Sequence, residues 1–335
     1  MVEQFRAIGV DSVVIPAGRL RQPLRFVKTI MAIARIARRE RISGICGWMA
    51  KGHFYGSLAA TIAGIPSFWY QLGVYNASLT MDRWAVRLPS NGIVTLSKAG
   101  FEAQTRVAPK TPIRLVYPGV DLNRFNVEEM PSISETRRRL RLPRNVPIVG
   151  IAGRLQRWKG MHTLISAMAI ILREIPAVVC VIVGGEHDLE PEYPRHLAEL
   201  VRELRIEDQV AIVGFQTNVN EWLHAMDVVV HASDNEPFGI VVIEAMALGK
   251  PVVAGSRGGP AEIITDGVDG LLAPFDDSTA LADCVLRFLR DPTYAANVGK
   301  RARERACRFT IEAYASNLTD AFQDLVIGAR KRPAA

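Results

Sequence analysis

The chain has 335 residues, 49% hydrophobic and 22% charged, with a formal net charge of +7. This globular composition excludes extensive disorder and suggests about two domains. No uncharged apolar stretch reaches the ~18 residues of a membrane-spanning helix. Residues 1–143 carry 21 Lys and Arg against 9 Asp and Glu, and the remainder 20 against 25. A basic first half therefore precedes a mildly acidic second half. That asymmetry suits either an anionic partner for the first half or a merely solvated basic surface.

In chain order, residues 2–8 read as the end of a helix and lack the charged and apolar regions of a secretory leader. Strands are expected at 12–15, 44–47, 66–70, 92–96 and 113–116, with helices at 23–41, 53–63 and 99–106. The helix over 23–41 is amphipathic and basic, carrying Arg25, Lys28, Arg35, Arg38, Arg39 and Arg41. Such a helix suits an anionic membrane surface. A domain boundary is expected at 143/144, where Pro143 and Pro147 bracket a polar turn.

Beyond it the alternation is cleaner. Strands are expected at 148–153, 178–185, 210–215, 228–232, 251–255 and 270–274. Helices fall at 161–174, 192–204, 219–226, 240–248, 261–265 and 279–289. Apolar strands separated by helices predict a parallel sheet covered on both faces, a doubly wound α/β domain. The four cysteines, Cys46, Cys180, Cys284 and Cys307, form no C-x-x-C pair and read as reduced, structural thiols. No metal site is expected.

Two loops carry candidate chemistry. Glu236 lies after the strand over 228–232, and Pro237-Phe238-Gly239 leads into the helix holding Glu244. Carboxylates there match vicinal hydroxyls of a sugar or ribose. Backbone N–H groups at Phe238, Gly239 and Ile240 would meet an anion or sugar oxygens. Spacing alone equally allows the two glutamates a purely electrostatic role at a helix N-terminus. In Gly150–Gly160, Gly153 ends a strand, and Arg154 and Lys159 precede the next helix, as at a diphosphate site. Exposed loop cations are a common alternative. Neither a P-loop nor G-x-G-x-x-G is present. His231, within a strand, reads as a packed core residue, and 188–190 as surface.

Together these segments resemble the donor-binding half of retaining family-4 glycosyltransferases of the GT-B fold (glycosyl transferases group 1). The residues carrying the resemblance are Gly153-Arg154, Lys159-Gly160, Gly184-Gly185, Gly214-Phe215, Glu236-Pro237-Phe238-Gly239, Glu244-Ala245-Met246-Ala247 and Gly258-Gly259-Pro260. Weaker matches extend upstream.

The resemblance implies an α/β protein with two doubly wound, Rossmann-like domains facing a cleft: 1–143, completed by a crossover helix at 310–328, and 144–309. It implies a hexosyltransferase using a UDP- or GDP-sugar donor and a hydroxyl acceptor, with retention and without a metal or other cofactor. Catalytic roles would fall to Glu236, Arg154, Lys159 and His53. Gly153, Gly185, Phe215, Phe238, Gly239, Ile240 and Glu244 would bind the donor, Glu244 by its ribose hydroxyls. An envelope role, a lipid-linked acceptor and a cytoplasmic site on the inner face of the plasma membrane are expected.

The family opens with a strand and a Gly-rich loop, and the first domain is expected to lack both. A start placed too far downstream, a non-catalytic remnant that binds nucleotide-sugar, or a rearranged domain would each account for this. A sugar-nucleotide epimerase is the alternative enzyme. No nucleic-acid module is recognisable.

Overall fold

The computed structural model describes residues 2–17, 22–74 and 80–331. They divide into two compact α/β units, Met1–Thr95 with Gly100–Leu115 and Thr319–Ala335, and Leu96–Ala99 with Val116–Leu318.

The first unit holds a parallel sheet of β1 (Ile45–Trp48), β2 (Ser67–Gln71), β3 (Gly92–Thr95) and β4 (Ile113–Leu115), in that spatial order. Side-chain alternation along β2 sends neighbours to opposite faces. Trp69 stacks on His53 of the helix Met49–Ala63, with ring centroids 5.0 Å apart. Phe68 meets Phe322 of the helix Ile311–Lys331 at 6.1 Å. The helix Pro23–Arg39 buries Ile30 and Ala34 against Tyr55 and Ala59. Burying a large aliphatic side chain such as Ile30 contributes roughly 1.5–3 kcal/mol. Its basic residues stay at the surface.

Residues 12–15 are not the expected strand. They are irregular, and Val13 and Val14 are 64% and 71% exposed. An apolar run becomes a strand only where a ladder partner takes its backbone groups, and none of the described strands pairs with it.

The second unit holds β5 (Ile148–Ala152), β6 (Val179–Val183), β7 (Val210–Ile212), β8 (Val228–His231), β9 (Val252–Gly255) and β10 (Leu271–Ala273). All are parallel, in the order β10-β9-β8-β5-β6-β7. Val149, Ile151, Ile182 and Val230 pack on one face, under the helices Met161–Glu174 and Ser278–Arg290. Ile148, Val181, Val229 and Val252 pack on the other, under Ile240–Ala247 and Pro292–Ala306. Coverage of both faces explains the continuous apolar runs. From β5 the chain winds outward through β6 and β7, then returns to place β8 on the other side of β5. That reversal opens a crevice at the carboxyl ends of β5 and β8, where such sheets bind ligands.

The division between units falls near residue 115, not at 143/144. Val120 and Phe125 sit in the second unit's core. Arg137, also buried, donates to the carbonyls of Ala225 (2.9 Å), Arg144 (3.2 Å) and Val146 (3.1 Å), and to Asp227 (2.6 Å). Prolines mark a turn after this segment, but burial fixes where the segment belongs.

Candidate active site

The loop after β5 is held tightly. The N–H groups of Gly153 and Leu155 donate to the carbonyls of Val183 and Gly185, each at 2.9 Å. The N–H of Arg157 donates to the Glu190 carboxylate at 2.7 Å, so Glu190 is a structural partner of this loop and not merely surface. A single 3-10 turn, Arg157–Lys159, ends at Gly160, whose φ is +73°. A Cβ at Gly160 would lie 2.1 Å from the carbonyl oxygen of Ala232. Only glycine allows this left-handed backbone and this approach.

The loop after β8 rests on the first loop. Asp234 N–H donates to the Trp158 carbonyl at 2.8 Å, and Gly259 N–H donates to the Glu236 carbonyl at 2.8 Å. These contacts bring Lys159 and Glu236 together as an ion pair, both side chains largely buried. The Lys159 ammonium also lies 3.9 Å from the centroid of the Trp158 ring. Burial alone would raise the Glu236 pKa, but His231 and Lys159 beside the carboxylate outweigh it and hold it at about 2. The His231 Nε2 lies 3.4 Å from Glu236 Oε2.

Gly239, at φ +100°, turns the chain into the helix Ile240–Ala247. The N–H groups of that helix's first turn lack intrahelical acceptors. Phe238 is directed differently: its ring packs on Tyr117 and Phe309, at 5.8 Å from each, leaving only its backbone for a ligand.

Gly153, Arg154, Gly185, Phe215 and Glu244 line one cavity of about 220 Å³, with Val183, Gln216, Val219 and Val241. The Glu244 carboxylate has no hydrogen-bond partner among the described residues, and burial raises its pKa to about 7 against the opposing charge of Arg124. Arg124 is fixed by donating to the Thr217 carbonyl at 2.8 Å. A roomier depression of about 550 Å³, lined by Phe101, Glu102, Thr105, Arg106 and Pro109, holds none of the motif residues.

His53 is buried within the first unit, on the helix Met49–Ala63. It is 0% exposed, stacked on Trp69, and neither ring nitrogen has a partner among the described residues. Burial pushes its pKa down to about 4. The helical span 53–63 showed which element holds it, but not which face of that element it occupies. His231, read as core packing, is instead in contact with Glu236. Its only sequence signal is a polar residue at a strand end, five positions before that glutamate. Arg124 and Glu190 carried no signal at all.

The chain matches the family described as Glycosyl transferases group 1 over residues 132–305. It is 32% identical to a D-inositol 3-phosphate glycosyltransferase of Salinispora arenicola over 304 residues, 85% of this chain and 67% of that protein. With the enzyme of that name from Corynebacterium urealyticum it shares 33% identity over 229 residues, 67% of this chain and 54% of that protein. The chain thus spans about half the length of some curated relatives it matches. Among solved structures, Anabaena HepE in complex with UDP and glucose superposes with a TM-score of 0.85 at 26% identity, over 96% of this chain and 88% of that one. Sucrose-phosphate synthase from Thermosynechococcus elongatus superposes with a TM-score of 0.81 at 28% identity, over 93% and 82%. These likenesses identify the fold as GT-B.

Proposed function

Because the chain belongs to the glycosyl transferases group 1 family, we propose that it transfers a hexose-type sugar from a UDP-sugar to a hydroxyl acceptor with retention of configuration. The observation that carries this reading is the convergence, at one topological reversal, of two cations and two carboxylates with different electrostatics. Glu236 is firmly ionised and paired with Lys159, while Glu244 lines an apolar cavity unpaired. The UDP complexes of HepE support the choice of nucleotide.

In this reading the base lies between Phe215, Val183 and Val219, and Glu244 accepts hydrogen bonds from the two ribose hydroxyls. Arg154 and Lys159 meet the diphosphate, Arg as a fork and Lys as a point charge. Glu236 accepts from a hydroxyl of the transferred sugar. The acceptor oxygen attacks the anomeric carbon from the face the diphosphate leaves. The carbon–oxygen bond to the diphosphate breaks, and the acceptor's proton passes to a departing phosphate oxygen. Catalysis is then mostly positioning and stabilisation of the leaving charge. No metal is assigned a role.

We place the acceptor at an anionic bilayer as a lipid-linked envelope intermediate. The support is the helix Pro23–Arg39, which exposes Leu24 and Val27 beside Arg25 and Lys28. No helix among the described residues is long and apolar enough to cross a membrane.

The test is titration with UDP, GDP, ADP and their sugar conjugates, followed by transfer assays on Glu236→Ala and Lys159→Ala. Removing either group is expected to lower kcat by about 10²–10³ with the fold retained. Turnover near wild type in both variants would sink the assignment. Conversion of the donor without any acceptor would favour an epimerase instead, and binding without turnover a non-catalytic nucleotide-sugar protein.

A further inference from the structure

We propose that His231 is a positioning residue for transfer, holding the Glu236 carboxylate in the orientation that receives the sugar. This inference rests on the donor-site reading above.

His231 ends β8 and is 3% exposed, so its ring is fixed by the sheet and not by a mobile loop. Its Nε2 lies 3.4 Å from Glu236 Oε2 and 3.4 Å from Ser233 Oγ, whereas its Nδ1 is buried with no partner among the described residues. An ionised carboxylate only accepts, so Nε2 must carry the proton in this contact.

The backbone around Glu236 is already clamped: Asp234 N–H binds Trp158, and the Glu236 carbonyl accepts from Gly259. What remains to be set is the carboxylate's rotation. Lys159 and His231 both address Oε2, and Oε1 has no partner among the described residues. Oε1 is thereby the oxygen left for a sugar hydroxyl. Lys159 is a poor sole anchor, because its ammonium sits on a flexible stem and is the group a donor diphosphate would recruit. His231 stays in place when Lys159 turns to the phosphates.

The experiment compares wild type, His231→Leu and His231→Gln by calorimetric titration with UDP and with UDP-glucose, and by steady-state transfer. Leucine fills the space without a donor, and the glutamine amide restores an N–H of similar reach. UDP, which lacks the sugar, is expected to bind all three proteins within about twofold. UDP-glucose affinity and kcat are expected to fall about tenfold or more in His231→Leu, the scale of a lost hydrogen bond to a charged group. His231→Gln should recover most of that loss.

UDP-glucose binding unchanged in His231→Leu overturns the inference while leaving the donor site intact. Equal losses for UDP and UDP-glucose, unrelieved by glutamine, mark a structural role and also overturn it. If wild type binds no UDP, the donor-site reading itself fails and this inference with it. Should His231→Leu not fold, His231→Asn, too short to reach Glu236, makes the same comparison against glutamine.

Discussion

Replacing Glu244 by Gln isolates a carboxylate that the fold tolerates at a cost. Burial raises its pKa to about 7 from the ordinary 4.5, with Arg124 opposing. Below pH 4.5 both the native and unfolded chains hold the proton, and Glu244 is neutral for stability. Between 4.5 and 7 the native state keeps a proton that the unfolded state releases, so stability falls as pH rises. Above pH 7 the full cost is present. At 1.36 kcal/mol for each pH unit, the gap amounts to about 3 kcal/mol. Water reaching the cavity trims this to about 2–3 kcal/mol. Glutamine carries no such cost, and each kcal/mol moves the melting midpoint of a unit this size by about 2–4 °C. Thermal melts of Glu244→Gln and wild type should therefore coincide at pH 4.5, with the variant about 4–12 °C higher at pH 8.5. UDP affinity should meanwhile drop about tenfold or more, because the ribose loses its charged acceptor. A stability difference that is the same at both pH values would refute the reasoning, since it would show that the ionised carboxylate is not what burial penalises.

Other substitutions read out the scaffold. Gly160→Ala forces a Cβ to within 2.1 Å of the Ala232 carbonyl at φ +73°, and a loss of about 2–4 kcal/mol in denaturant unfolding is expected. Arg137→Leu strips partners from three carbonyls and leaves Asp227 with only the Ile148 N–H, and should cost about 2–4 kcal/mol by the same measurement. Glu190→Ala frees the Arg157 N–H and is expected to weaken UDP binding a few-fold while moving the melting temperature little, because the contact is exposed. Acid should act on the first unit through His53, whose native pKa of about 4 lies below the ordinary 6.5. Its contribution to stability is present above pH 6.5 and is lost as pH falls toward 4, a loss that His53→Phe should abolish in melts between pH 7 and 4.5.

Much of the second unit was legible because strands buried on both faces leave unbroken apolar runs, and β5 to β10 lie within the expected spans. The loops bearing Arg154, Lys159 and Glu236 were legible for the same reason, since each follows such a run. The helix Pro292–Ala306 escaped notice because its buried face is Val298, Gly299, Ala302 and Ala306, small residues that barely register against Lys300, Arg301, Arg303 and Arg305 on the same helix. Residues 12–15 erred the other way, since β-branched residues signal willingness to pair but not the presence of a partner. Prolines at 143 and 147 drew the domain boundary too late, because punctuation in the chain does not report which core Phe125 and Arg137 enter. The contact of His231 with Glu236 depends on how the loop folds back over the strand end, and no periodicity encodes that.

The pairing of Lys159 with Glu236 closes a loop of 77 positions, between strands that are neighbours in space but not in sequence. Chain entropy makes such closures slow. Lys159 thus draws its counter-charge from a residue that only the long-range pairing of β8 with β5 brings within reach. The charge balance of this loop is a property of the finished sheet and not of the segment that carries it.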